Sequence, residues 1–416
     1  MTESPPVERP HRSTAVDDPL VEIKTVICTM PKRRDWTQHG IEKTLEHRVL
    51  LRLRTAGGTE GWGEATALAQ WGGMEGRYFG ETATTVVHAV HDLFAPTLLA
   101  ADLRAPRAVM ERLDALLVGH PYAKAMIEMA LQDIRGKRCG EPLYRLLGGP
   151  CRSGVRIGHM LGIMTIDDAL EEADRSIDAD GITAFQIKGG TDPRRDVELI
   201  TRLRKALPDG IFLRLDANKG YGRIPKELAV IMRRLEAAGV DAVEQPASSV
   251  AGLRACRQAV SIPIIADEGC WTAHDVLELW QADAVDAVSV YVAKAGGMER
   301  AAEVARTASL VGYRGDVNGS LETGIGNAAS VHVAMASETL TLPSIIPIPS
   351  TAERHLTRYA GRYWEDDVVE HGYGYRDGCL HVSDLPGLGI AVDAKKVAKY
   401  AVAEPRISRP DSSASH

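Results

Sequence analysis

Apolar and polar residues largely alternate over residues 20–29 (LVEIKTVICT) and 47–56 (HRVLLRLRTA), and that period of two predicts strands. Thr55-Ala56-Gly57-Gly58-Thr59 is a turn signal, and Gly61-Trp62-Gly63-Glu64 continues as a short third strand. From Glu81 to about Leu117 the period lengthens to that of a helix (Val86, Val87, Val90, Leu93, Phe94), punctuated by Pro96 and Pro106. Residues 121–138 predict a strong amphipathic helix with Pro121 near its first turn, and LLGGP at 146–150 is a connector. Together these elements predict an α+β module over residues 20–149.

From Gly154 the pattern changes to strands alternating with helices. GVRIGHML (154–161) begins it, helices are expected at 167–179, 193–206, 225–238, 249–259, 273–281, 297–310 and 326–337, and LPSIIPI (342–348) is the eighth candidate strand. Alternation of this length predicts an α/β architecture with a parallel sheet, and seven or eight units favour a barrel over an open sheet. The barrel is expected to occupy residues 150–361. Beyond it, residues 362–405 return to short strands and turns and are expected to fold back onto the first module. The leader 1–19 and the tail 406–416 are expected to be disordered.

Six polar residues close successive apolar stretches of the second half: Lys188, Asp216, Glu244, Asp267, Lys294 and Glu322, at steps of 23 to 28 residues. One strand–helix unit needs roughly 25 to 35 residues, so each falls at the same point of its unit. The carboxyl ends of barrel strands converge on one mouth, where active sites of this architecture lie. A lone Asp at a strand end as readily caps a helix or pairs with a surface Arg. Three carboxylates in phase, with a lysine on either side, predict a metal site with acid/base groups flanking it. Hard oxygen donors at Asp216, Glu244 and Asp267 suit Mg²⁺ or Mn²⁺ rather than zinc. With a dication and both lysines the group keeps one net positive charge, which fits a substrate carboxylate. Asn218 is placed to orient a ligand or the substrate, and Glu268 is expected to hydrogen-bond Lys294. Glu322 lies in the glycine-rich turn GSLETGIG before a helix. Trp71-Gly72-Gly73 and the loop Asp35–Gly40 are candidates to cover the mouth.

Composition narrows the field without pointing to a reaction. The formal charge of −7 leaves no basic stripe for nucleic acid, and no apolar run approaches the roughly 18 residues of a membrane span. The start has no apolar stretch of the secretory kind, and the six cysteines form no C-x-x-C pair, so a reduced cytoplasmic protein is expected.

The quoted residues resemble the muconate lactonizing subgroup of the enolase superfamily: FQIK with Lys188, LRLDAN with Asp216 and Asn218, VEQP with Glu244, IADEG with Asp267 and Glu268, VAKAGG with Lys294, and SLETGIG with Glu322. The resemblance spans roughly residues 20–405. It implies a modified (β/α)7β TIM-type barrel under an N-terminal α+β capping domain, metal ligands at Asp216, Glu244 and Asp267, and acid/base lysines at Lys188 and Lys294. A homo-oligomer is expected on the same ground. The subgroup usually carries Lys-x-Lys on its second strand, and here the first position is Gln186. Without that neighbouring cation Lys188 is better suited to giving a proton than to taking one.

The resemblance implies a cycloisomerase acting on a dicarboxylate of the cis,cis-muconate type through a metal-stabilised enolate. QWGG (70–73) and VGHPYAKAMIEMALQD (118–133) are similar to muconate cycloisomerases. RYWEDDVV (362–369) looks more like racemases of N-acylated amino acids, in which both lysines act on opposite faces. A dehydratase expelling a β-leaving group and a non-catalytic binding protein are the remaining alternatives.

Overall fold

A computed structural model describes residues 18–32, 38–39, 47–349, 363–404 and 406–408. The alternating segments form an antiparallel meander of Leu20–Cys28, Arg48–Thr55 and Glu60–Ala65, with Ile23 opposite Leu53 and Leu51 opposite Gly63. The helix Pro121–Cys139 lies directly on this sheet. That approach needs Gly61 and Gly63, since a Cβ at either would run into the carbonyls of Ala130 and Met126. Between sheet and helix, the run from 81 to 117 is broken into Ala83–His88, a π-helical turn Ala89–Phe94, Ala95–Leu99 and Pro106–Leu116. Pro96 has no N–H to donate back up the helix, which accounts for the widened turn ahead of it.

Seven parallel strands follow one another in spatial order: His159–Leu161, Ala184–Lys188, Phe212–Asp216, Ala242–Glu244, Ile264–Ala266, Ala287–Val290 and Arg314–Val317. The helices between them start where side-chain caps or an early proline allow, as at Thr165, Asp192–Pro193, Pro225, Ser249 and Thr272. The eighth position differs from expectation. Residues 342–348 build no continuous ladder, because Pro343 and Pro347 lack donors. Instead two isolated parallel bridges, Gly315 with Leu340 and Ile157 with Ser344, close the ring. Leu342 N donates to Gly315 O at 2.9 Å, and Gly158 N to Ser344 O at 2.9 Å. The chain is an α/β protein with a modified (β/α)7β barrel and an N-terminal α+β cap.

The segment 154–161 also divides. Val155–Arg156 pairs antiparallel with Cys379–Val382, while His159–Leu161 joins the parallel barrel sheet. Residue alternation reports a strand but not which sheet claims it. The C-terminal return is likewise shared. The hairpin Tyr373–Arg376/Cys379–Val382 joins the barrel entry, while Ala401–Ala403 pairs with the first cap strand. Arg406–Ser408, expected as disordered tail, pairs with the same strand; an open edge offers unpaired backbone groups that a returning segment satisfies. Asp18, expected in the leader, accepts from Gly57 N and pairs with Arg138. The rest of the expected leader, residues 1–17, and of the tail, residues 409–416, lies outside the described residues. Among the described residues, no helix is long and apolar enough to cross a membrane.

Candidate active site

Strand register assembles the first three candidates. Lys188 pairs with Asp216, and Asp216 with Glu244, on successive parallel strands, so their side chains leave the sheet at one level. Asp267 follows the strand Ile264–Ala266, and Lys294 sits in the short helix Val292–Ala295 beyond the strand Ala287–Val290. All five side chains are buried.

Each carboxylate meets its own protein cation. Lys188 Nζ lies 2.5 Å from Asp216 Oδ2, and Lys294 Nζ 2.6 Å from Asp267 Oδ1. Glu244 Oε2 accepts from Gln186 Nε2 at 2.8 Å and lies 3.1 Å from Arg214 Nε. As the side chains stand, no three acidic, histidine or cysteine groups among the described residues converge closely enough to hold a metal ion.

The donor set nonetheless fits a dication. Glu244 Oε1 is buried without a hydrogen-bond partner. Burial pushes the Glu244 carboxyl well above the usual range; Arg214 opposes that, and the Asp216 and Asp267 charges push it further. Asp267 is raised by burial too, with Lys294 opposing and Asp216 adding repulsion. Buried, mutually repelling hard oxygens are what a divalent cation relieves. Burial acts to lower Lys188, but the Asp216 and Glu244 charges outweigh it and hold the amine above its ordinary value.

The two lysines differ in their access to open space. A cleft opens at this end of the barrel, and Lys188, Asn218 and Asp267 line it together with Trp71, Tyr291 and Trp364. Lys294 is not among the described residues that line it. Its three N–H groups go to Asp267 Oδ1, Asp267 O at 2.8 Å and Ser289 O at 2.9 Å. Its ammonium lies 4.4 Å from the Tyr291 ring centre and 5.6 Å from that of Trp71.

The remaining expectations divide. Asn218, held in the left-handed region at φ 42°, donates its backbone N–H to Asp216 Oδ1 at 2.9 Å and its side-chain amide to Glu268 Oε1 at 3.3 Å. Glu268 therefore meets Asn218 and not Lys294, whose protons are already engaged. Burial and then the Asp267 and Asp216 charges push Glu268 up to about 8. Gln186 lines the cleft and reaches Glu244. Glu322 Oε1 accepts from Ser320 N at 3.0 Å, and its carboxyl feels the charges of the cap residues Glu64 and Arg48. Trp71 covers one side of the cleft and Gln38 reaches it; residues 35–37 and 40 of the loop lie outside the described residues.

Four residues of this neighbourhood were not singled out from the sequence: Arg48, Glu64, Arg214 and Asp316. All four are buried charges within strands. A charged residue at an inward strand position, as in LRLD and RGDV, was the available signal.

Two family models match. Residues 24–148 match the mandelate racemase / muconate lactonizing enzyme N-terminal domain, and residues 168–396 the enolase C-terminal domain-like model. The chain is 30% identical to an L-Ala-D/L-Glu epimerase of Bacillus subtilis, over 82% of this chain and 88% of the relative. It is 26% identical to muconate cycloisomerase 1 of Rhodococcus opacus, over 92% of this chain and 98% of the relative. A solved structure of muconate lactonizing enzyme from Pseudomonas fluorescens, complexed with muconolactone, superposes with a TM-score of 0.81 at 28% identity, covering 92% of this chain and 99% of that one. With cap and barrel both matched, the chain belongs to the mandelate racemase / muconate lactonizing enzyme family and is an enzyme of the enolase superfamily.

Proposed function

We propose that the protein is a cycloisomerase of the muconate lactonizing type, acting on a small dicarboxylate. The observation that carries this reading is the inequality of the lysines: Lys188 lines the cleft, while Lys294 is packed behind Tyr291 and Trp71 with all its protons engaged. Lactonization needs one proton donor on one face of the substrate, and Lys188 is placed for it.

Asp216, Glu244 and Asp267 are the residues to hold the cation, Mg²⁺ or Mn²⁺, which when bound supplies positive charge beside the substrate carboxylate where negative charge develops. In the lactonizing direction one substrate carboxylate forms a C–O bond to the diene, and the displaced π electrons move to the carbon beside the other carboxylate. The Lys188 ammonium then transfers a proton to that carbon, leaving a neutral amine that recovers its proton when the product leaves. The Asp216 carboxylate beside Nζ keeps the amine in its charged form between turnovers. Trp71, Tyr291, Met160 and Ile345 give the cleft apolar walls that keep water from the reacting carbon.

A second reading is 1,1-proton transfer on an N-acylated amino acid or dipeptide. The matched seating of Lys188 on Asp216 and Lys294 on Asp267, together with the epimerase relative, favours it. The two separate on one assay. With Mg²⁺ and cis,cis-muconate, the cycloisomerase consumes the diene absorbance and makes a lactone. If muconate persists while deuterium from D₂O enters the α-position of an acylamino acid, the second reading replaces the first.

A further inference from the structure

Two charged side chains lie inside the barrel, in space that branched apolar residues ordinarily fill. Arg214 projects from the strand Phe212–Asp216 and Asp316 from the strand Arg314–Val317, and both are buried. Three strands separate them in the sheet order, so their ion pair between Arg214 Nη1 and Asp316 Oδ2 spans the interior. A buried ion pair is often no more stabilising than apolar side chains of similar volume. Stability alone is therefore a poor account of this one.

Its geometry supplies another. Arg214 reaches Glu244 Oε2 with Nε while Gln186 Nε2 donates to the same oxygen. The second Glu244 oxygen, Oε1, is left buried and without a partner. On the far side Asp316 Oδ2 accepts from Asn318 Nδ2 at 3.3 Å. Asn318 is itself fixed, by Ser289 Oγ at 2.8 Å and by Ile345 N, which donates to its Oδ1 at 2.7 Å. One continuous chain of contacts thus runs from Ile345 in the cleft wall, through Asn318, Asp316 and Arg214, to Glu244.

We propose that Asp316 and Arg214 are positioning residues: the transverse pair clamps one oxygen of Glu244 and thereby leaves the other as the oxygen presented to a divalent cation. This rests on the reading of Asp216, Glu244 and Asp267 as the cation-holding group. Asp316 also shares the Arg214 charge, so that the guanidinium does not neutralise Glu244 outright. Without Asp316 the full charge of Arg214 falls on Glu244, and the carboxylate binds a cation less well.

The test is titration of the purified protein with MgCl₂ by calorimetry, alongside urea unfolding of the metal-free protein. The wild type binds Mg²⁺, and Asp316→Asn, close to isosteric, binds it about 10- to 100-fold more weakly, the range expected for an outer partner of a ligand. The double variant Arg214→Met/Asp316→Leu removes both charges of the transverse pair together, and its urea midpoint shows whether it is folded. It binds Mg²⁺ about tenfold or more weakly, since Gln186 alone then holds Glu244. A purely structural role would lower the urea midpoint and leave Mg²⁺ affinity unchanged. If either folded variant binds Mg²⁺ within twofold of a binding wild type, the positioning role is overturned and the cation site stands. If the wild type itself binds no Mg²⁺, both are overturned.

Discussion

Glu64, on the third strand of the cap, caps the barrel helix that follows Thr323. Its carboxylate accepts from Thr323 N at 2.8 Å, from Thr323 Oγ1 at 2.7 Å and from Gly326 N at 2.9 Å. Arg48 on the neighbouring strand donates to Leu321 O at 2.9 Å and stacks 3.7 Å from the Trp364 ring. Leu321 and Trp364 both line the cleft, so the cap holds part of the active-site wall in place.

Glu64→Ala is expected to cost on the order of 3 to 5 kcal/mol, because it strands the Thr323 and Gly326 N–H groups and leaves the Arg48 charge buried without its carboxylate. Urea unfolding measures it. A loss below about 0.5 kcal/mol, the range of ordinary surface substitutions, would contradict the capping role.

Glu322 makes stability depend on pH in an unusual direction. Burial, and then the Glu64 charge, push its carboxyl from 4.5 up to about 7, and its Oε2 is buried without a partner. Because the folded value is raised, the folded state holds the proton more tightly than the unfolded chain. Its contribution is therefore fully present below about 4.5 and is lost as pH rises through about 7. The linked effect is on the order of 3 kcal/mol. Glu322→Gln, a mimic of the neutral form, should gain on the wild type in melting temperature between pH 5 and pH 9. A difference that does not change with pH would contradict the assignment.

Much of this was legible in the chain. The even recurrence of Lys188, Asp216, Glu244, Asp267 and Lys294 carries the barrel and the mouth together, because strand ends in a parallel barrel must converge. The barrel helices are found within two residues of their expected bounds. Contacts between elements distant in sequence were not legible. Nothing local to Glu64 indicates a helix some 260 residues away, and a charge such as Arg214 or Asp316 reads as solvated until a second charge is seen facing it. Prolines 343 and 347 did carry a warning, since a strand lacking two donors cannot complete a ladder.

The two lysines should separate kinetically. Lys188→Ala is expected to lower kcat by about 10²- to 10⁴-fold, the usual contribution of a positioned acid. Lys294→Ala removes a charge from beside Asp267 without removing the proton donor, so KM rises and kcat stays within about tenfold. Equal collapse of kcat in both variants, measured by steady-state kinetics, would favour the two-lysine reading.

Chelation offers an independent check. Treatment with EDTA should abolish turnover, and Mg²⁺ or Mn²⁺ should restore it. At a hundredfold excess over its dissociation constant the cation should stabilise the fold by about 2.7 kcal/mol. Turnover that survives complete chelation would contradict the role given to the carboxylates.

The most direct measurement is the deuterium content of the lactone formed from cis,cis-muconate by the Mg²⁺-loaded wild type in D₂O. One carbon-bound deuterium is predicted, on the carbon beside the free carboxylate, delivered by the exchanged Lys188 ammonium. A lactone carrying none there, or no lactone at all, would contradict the account.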